Sequence, residues 1–163
     1  MNQIITADLK VGARGMDSAG DEFISSCNRA GVDTTRVRSV PGATTSRCLV
    51  LTSPLGRTMR TAMSQDAVLA AKDLDPTADF GGARWTFLSA YAVHQPVLLP
   101  SAARCARDLG SCVMLDLASW ETVRDHSDTI MGLLMEGMVD CCICNEVSRI
   151  RVRYMCISYG PMY

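Results

Sequence analysis

Apolar residues along the chain fall in short runs separated by turn residues, and the pattern is most regular over 112–146. Cys112, Val113, Met114, Leu115 and Leu117 form one apolar run broken only by Asp116, and 139–144 forms a second. Both are predicted as strands buried on two faces. Between them Asp128 is placed to cap a helix that runs to Met135 and is ended by Gly137. A strand, a helix and a parallel strand joined in this way cross over right-handed, and ligands bind beyond the strands' carboxyl ends. Asp116 and Asn145 stand near and at those two ends.

Upstream, Leu99, Ala102, Ala103, Ala106 and Leu109 share one helical face, opened by Pro96 at the first position and closed by Gly110, and 84–89 reads as a strand. The second half is therefore strand, helix, strand, helix, strand, which predicts an α/β fold with part of a doubly wound parallel sheet. In the first half Ser18 with Asp21 resembles a capping box, and Phe23, Ile24, Cys27 and Ala30 line one face of a helix that Gly31 closes. Residues 32–40 read as polar and extended. After a Pro41-Gly42 turn, 47–52 and 57–61 form a hairpin around Ser53-Pro54-Leu55-Gly56. That hairpin lies outside the α/β grammar and is expected to project as a flap. The alanine-rich 64–72 is predicted as a short helix, broken by Asp73-Leu-Asp-Pro76. Beyond Glu146 no further crossover helix follows. Residues 147–163 alternate like a strand, with Arg149, Arg151 and Arg153 on one face, and read as a solvated or edge segment.

With 163 residues, 48% hydrophobic and 20% charged, the chain is long enough for one ordinary domain. A net charge of -1 gives no electrostatic footprint for nucleic acid, and no apolar run approaches the ~20 residues of a membrane span. No secretory signal is recognised at the N-terminus, so a cytoplasmic location is expected. Most of the eight cysteines lie in apolar runs, where a reduced thiol packs as a small hydrophobe. The one cluster, Cys141, Cys142 and Cys144, contains no Cys-x-x-Cys pair, and His94 and His126 stand at no ligand spacing from it, so no metal site is expected.

Five pieces occur in an order that resembles the PfkB, or ribokinase-like, carbohydrate kinases, and most closely the plant-type members that are similar to adenosine kinase. They are Ala30-Gly-Val-Asp-Thr34, Pro41-Gly-Ala-Thr44, the Pro54-Leu-Gly-Arg-Thr58 turn, Leu115-Asp-Leu-Ala-Ser119 and Asn145-Glu146. The resemblance covers 11–147, with a lid hairpin near 44–61 and a non-homologous tail at 148–163. It implies an α/β sandwich with a small β lid, an acceptor sugar or nucleoside held between them, and ATP with Mg²⁺ as phosphoryl donor. The family's catalytic element is Gly-Ala-Gly-Asp at a helix N-terminus, where backbone amides form an anion hole and the aspartate is the base. Asp17-Ser-Ala-Gly-Asp21 imitates that element, but its place before Ala-Gly-Val-Asp-Thr and the hairpin fits instead the family's N-terminal Gly-x-Asp-x-x-Gly turn, here Gly15, Asp17 and Gly20. No catalytic residue is therefore assigned, and the acid at Asp21 is accounted for by the helix dipole.

Asn145 matches the asparagine of the family's Asn-x-x-Glu motif, which organises Mg²⁺ and phosphate through water, whereas the motif's glutamate falls at Ser148. The alternative for Asn145 is a turn residue at a strand end. Asp116 faces an acceptor by its position, or caps the helix that starts near Ser119. The expectation is a kinase fragment, cut at both ends by truncation or alternative splicing and inactive alone. The alternatives are a non-catalytic module that pairs with an intact kinase chain, or with its own copy, through the lid or a sheet edge, and a small enzyme with Asp21 as its base.

Overall fold

A computed structural model of the chain describes residues 8–54 and 56–144. These fall into two compact units, divided between Leu69 and Ala70. The division lies inside the single span expected at 11–147.

The first unit opens with strand β1 (Gly12–Gly15), helix α1 (Ser18–Arg29) and strand β2 (Val37–Val40), and β2 pairs parallel to β1 from Gly12↔Val37 to Gly15↔Val40. The first half thus contains a βαβ unit of its own, where the polar 32–40 stretch had concealed a strand. Helix α1 is capped by Asp17, whose Oδ1 accepts from the Gly20 amide at 2.9 Å, not by Ser18. Its far end closes on Gly31, with φ +77°, while the Val32 amide donates to the Cys27 carbonyl. A left-handed residue there costs glycine nothing and satisfies the last-turn carbonyls.

Strands β3 (Arg47–Ser53) and β4 (Gly56–Ala62) pair antiparallel from Arg47↔Ala62 to Ser53↔Gly56 as a separate two-stranded sheet. Every position of both strands is exposed. The hairpin's base is tied by Ser46, whose Oγ accepts from the Ser64 amide at 2.9 Å. The helix expected at 64–72 does not form. Ser64 Oγ accepts from the Ala67 amide and Asp73 Oδ2 from the Ala70 amide, so local side-chain acceptors take the amides a helix would use, and only a 3₁₀ turn at Ala71–Asp73 remains.

The second unit is organised on three parallel strands, β5 (Trp85–Ser89), β6 (Cys112–Asp116) and β7 (Cys141–Ile143), in the order β5-β6-β7. A short helix, α2 (Pro76–Phe80), precedes them with Pro76 at its first position and Asp75 as cap. Helix α3 (Leu98–Asp108) connects β5 to β6. It starts two residues later than Pro96 implied, because Val97 takes a left-handed φ of +52° and restarts the chain direction after a 3₁₀ turn at Ala90–His94. The second crossover is two helices rather than one, α4 (Trp120–Asp125) and α5 (Ser127–Met135), broken at His126 (φ −125°, ψ 30°). Ser119 caps α4, and Asp128 lies in the first turn of α5 without capping it.

Two crossovers of one hand that advance in one direction lie on the same face of a sheet. Accordingly Leu99 and Ala103 of α3 and Ile130 and Leu133 of α5 pack with Leu115 of β6, and Ala102 and Ala106 of α3 pack with Val113. Arg107 at the end of α3 grips Asp140 at 2.9 and 2.7 Å, and Asp140 also accepts from the Val113 amide at 2.7 Å. The opposite face is different. Cys112, Met114 and Asp116 are only half-buried, and Trp85, Phe87 and Ile143 are exposed. The expectation of strands buried on two faces is thus corrected, since both helices cover one face. Among the described residues no helix is long and apolar enough to cross a membrane.

Candidate functional site at the strand ends

Parallel pairing brings the carboxyl ends of β5 and β6 level, with Ser89 beside Asp116, and places Ile143 on the other side of Asp116. Asp116 is the last residue of β6, as its sequence position implied. Its Oδ1 accepts from the Ala118 amide at 3.1 Å, closing a turn in which Ala118 takes a left-handed φ of +58°. The carboxylate stabilises a backbone that alanine does not favour. It is not the helix cap: Ser119 Oγ receives the Thr122 amide at 3.3 Å. The capping reading of Asp116 is thus replaced by a turn-closing role at the end of β6.

Asn145 lies outside the described residues, as does Ser148, one and four positions beyond Cys144. The arginine-bearing tail lies there too. Around the same ends the chain leaving β5 carries Tyr91 and His94, whose rings stack 6.2 Å apart, and His94 meets His126, at the α4–α5 break, edge to face at 5.2 Å. Sequence spacing did not anticipate that contact, since 32 positions separate the two histidines. A shallow groove of about 240 Å³ lies against α3 and α5, lined by Pro100, Arg104, Asp128, Thr129, Gly132 and Glu136 among others, and none of the strand-end residues lines it.

A second polar cluster, in the first unit, sits at the Gly-x-Asp-x-x-Gly turn. The Asp17 carboxylate accepts from Gly20 N, from the Thr45 hydroxyl at 2.6 Å and from the Thr45 amide at 3.0 Å, and Arg47 approaches to 3.8 Å. Thr45 Oγ1 in turn accepts from the Gly15 amide at 3.0 Å. The Thr45 hydroxyl first, then the two amides and the Arg47 charge, lower the Asp17 pKa from 3.8 to about 2. A Cβ at Gly15 would run into the Ala43 backbone, and one at Gly20 into the Gly15 carbonyl and Thr45. Both glycines are there to let these groups touch. Asp21 is separate from the cluster: 71% exposed, it pairs with Arg14 at 2.7 Å. The sequence reading named Asp17 as part of a turn and missed its hold on Thr45. An aspartate directly before an amphipathic run, with threonines just upstream of a strand, was the available signal.

ATP with Mg²⁺ needs several convergent oxygen donors. Among the described residues no group of three or more His, Cys, Asp and Glu is placed to hold a metal ion, and Asp116 spends one oxygen on its own turn. The described residues therefore offer no ready-made cluster of oxygen donors for the metal, and no phosphoryl step is derived from them.

No protein-family model matches the chain, and no curated protein does. Solved structures do. The chain is similar to the adenosine kinase from Sinorhizobium meliloti (TM-score 0.79, 19% identity, 91% of this chain and 46% of that one). It is similar to a probable sugar kinase from Rhizobium etli CFN 42 (TM-score 0.75, 21% identity, 91% and 46%). A third likeness is to the 2-dehydro-3-deoxygluconokinase from Thermotoga maritima (TM-score 0.74, 21% identity, 88% and 46%). The chain spans less than half the length of each of these kinases. At these identities the likeness is one of fold, and the fold of this chain is ribokinase-like, an α/β architecture with parallel strands and a separate small β-hairpin.

Proposed function

We propose that the chain is a piece of an ATP-dependent kinase that transfers phosphate to a hydroxyl of a sugar or nucleoside, and that these 163 residues do not transfer it alone. The observation that carries the reading is the match of 91% of the chain to under half of an adenosine kinase. The five family-like motifs, in the family's order, support it. In this reading the β3–β4 hairpin is the lid over the acceptor, Asp116 faces the acceptor from the end of β6, and Asn145 belongs to the Mg²⁺-phosphate end. The sequence holds no Gly-Ala-Gly-Asp, and Ser148 stands where the motif glutamate would bind hydrated cation. The setting is cytoplasmic, where ATP is supplied.

Equilibrium dialysis of the folded chain against radiolabelled ATP with Mg²⁺ tests the incomplete nucleotide end. The expected result is no saturable binding up to millimolar ATP. Saturable binding would overturn that part of the proposal and make Asn145 the first residue to substitute.

A second reading, pairing with an intact kinase chain or a second copy through the hairpin, is favoured by one observation. Leu49, Val50, Leu51, Met59 and Met63 are each about half exposed or more, an apolar density unusual on a free two-stranded ribbon. Sedimentation equilibrium of the chain, alone and with an intact kinase of this fold, separates the readings. Monomer mass for the chain alone, and in the mixture no species heavier than the two separate components, rejects the pairing.

A further inference from the structure

The β3–β4 hairpin has no packing of its own to hold it. Every residue in both strands is exposed, and its ladder joins only its two strands. Two-stranded ribbons of this kind are marginal unless anchored. Where the hairpin points is consequently decided at its root. One root contact, Ser46 to Ser64, merely joins the two ends of the hairpin to each other. Thr45, two residues before β3, reaches instead out of the hairpin to the β1–α1 turn, where Arg47 at the start of β3 also approaches Asp17 at 3.8 Å.

We propose that Asp17 and Thr45 form a latch that fixes the hairpin to the β1–α1–β2 unit, with Asp17 as a positioning residue. Three features converge on this. The Asp17 carboxylate uses both oxygens on Thr45, Oδ1 for the hydroxyl and Oδ2 for the amide, beyond the single bond a helix cap needs. The Thr45 hydroxyl is itself oriented by the Gly15 amide, so its hydrogen is directed to the carboxylate. Gly15 and Gly20 leave open the space through which the root passes, at Ala43 and Thr45. Charge-assisted hydrogen bonds of this kind are the stronger class, and a bidentate hold restrains orientation as well as distance. Between this root and β2, Gly42 has φ +74°, a backbone state that lets the chain turn there. With the latch closed the hairpin stands in one position; with it open the hairpin swings about 41–46. The inference does not depend on phosphoryl transfer, and if that reading holds, the latch is what sets the lid.

Backbone ¹⁵N relaxation on the full chain tests it with three variants. Asp17→Ser keeps a helix cap, because serine caps as well as aspartate, but has one oxygen and a shorter reach, so the latch is lost. Thr45→Val removes the hydroxyl at nearly constant shape, and Thr45→Ser restores it. In the wild type the β3 and β4 amides have order parameters of about 0.85, like those of β1 and β2, and in Asp17→Ser and Thr45→Val they fall to about 0.6 while α1 stays rigid. Thr45→Ser returns them to the wild-type value. Unchanged hairpin order parameters in both loosening variants would overturn the latch. So would a wild-type hairpin already at the lower value, or a loss of order that spreads equally through α1 and β1.

Discussion

Asp17 and Asp116 perform the same elementary act, a carboxylate accepting backbone amides at the start of a turn, with different consequences for each. For Asp17 the hydrogen bonds hold the folded-state pKa at about 2 against an ordinary 3.8. A depressed carboxylate contributes stability that is fully present above the unfolded-state value and is lost as pH falls through the folded one. Asp17→Asn removes that contribution. Urea midpoints measured between about pH 5 and pH 2 should fall less steeply in Asp17→Asn than in the wild type; parallel slopes would refute the assignment. For Asp116 the beneficiary is Ala118 at φ +58°. Ala118→Gly relieves the strain and adds unfolded-state entropy, and strain relief is the larger of the two, so a net gain of about 0.5–1 kcal/mol in chemical denaturation is expected. A loss of stability would mean that Ala118 packs productively where it stands.

The strands show how far an apolar pattern can be trusted at the scale of an element. Run length over 112–117 located β6 correctly, while its two faces have opposite environments: Val113 and Leu115 are fully buried, and Met114 between them is not. A continuous apolar run reports that a strand has no solvent-adapted face, which is not the same as having two covered ones. Leu115→Ala should therefore cost about 2–5 kcal/mol, whereas Phe87→Thr, on a residue 60% exposed, should shift the unfolding midpoint little. Comparable losses in the two variants would show that the exposed face is covered in solution. The errors at 64–72 and at 95–98 share another cause. Composition and proline position favour a helix in both, but Ser64 and Asp73 divert the amides in one, and Val97 leaves helical space in the other. For the second crossover the helix starts expected near Ser119 and at Asp128 correspond to α4 and α5, but α5 begins at Ser127 and Asp128 does not cap it. Legible were the parallel strands, the hairpin and the place of Asp116, because run length, turn chemistry and βαβ grammar each act over few residues. The Asp17–Thr45 contact spans 28 positions, and at that separation each residue's local setting marks it as a cap or turn residue without naming its partner.

At the scale of the molecule, a ribokinase-like fold is present over a span under half the length of the kinases that share it. On the proposed reading this span carries the acceptor side of the kinase without completing the phosphate-transfer end. A panel of sugars and nucleosides incubated with the purified chain and labelled ATP with Mg²⁺, with a thermal melt recorded on the same sample, puts this reading to the test. The expected result is a cooperative melt and no labelled product above a heat-killed control. Product above that control, abolished by Asp116→Ala or Asp21→Ala, would contradict it.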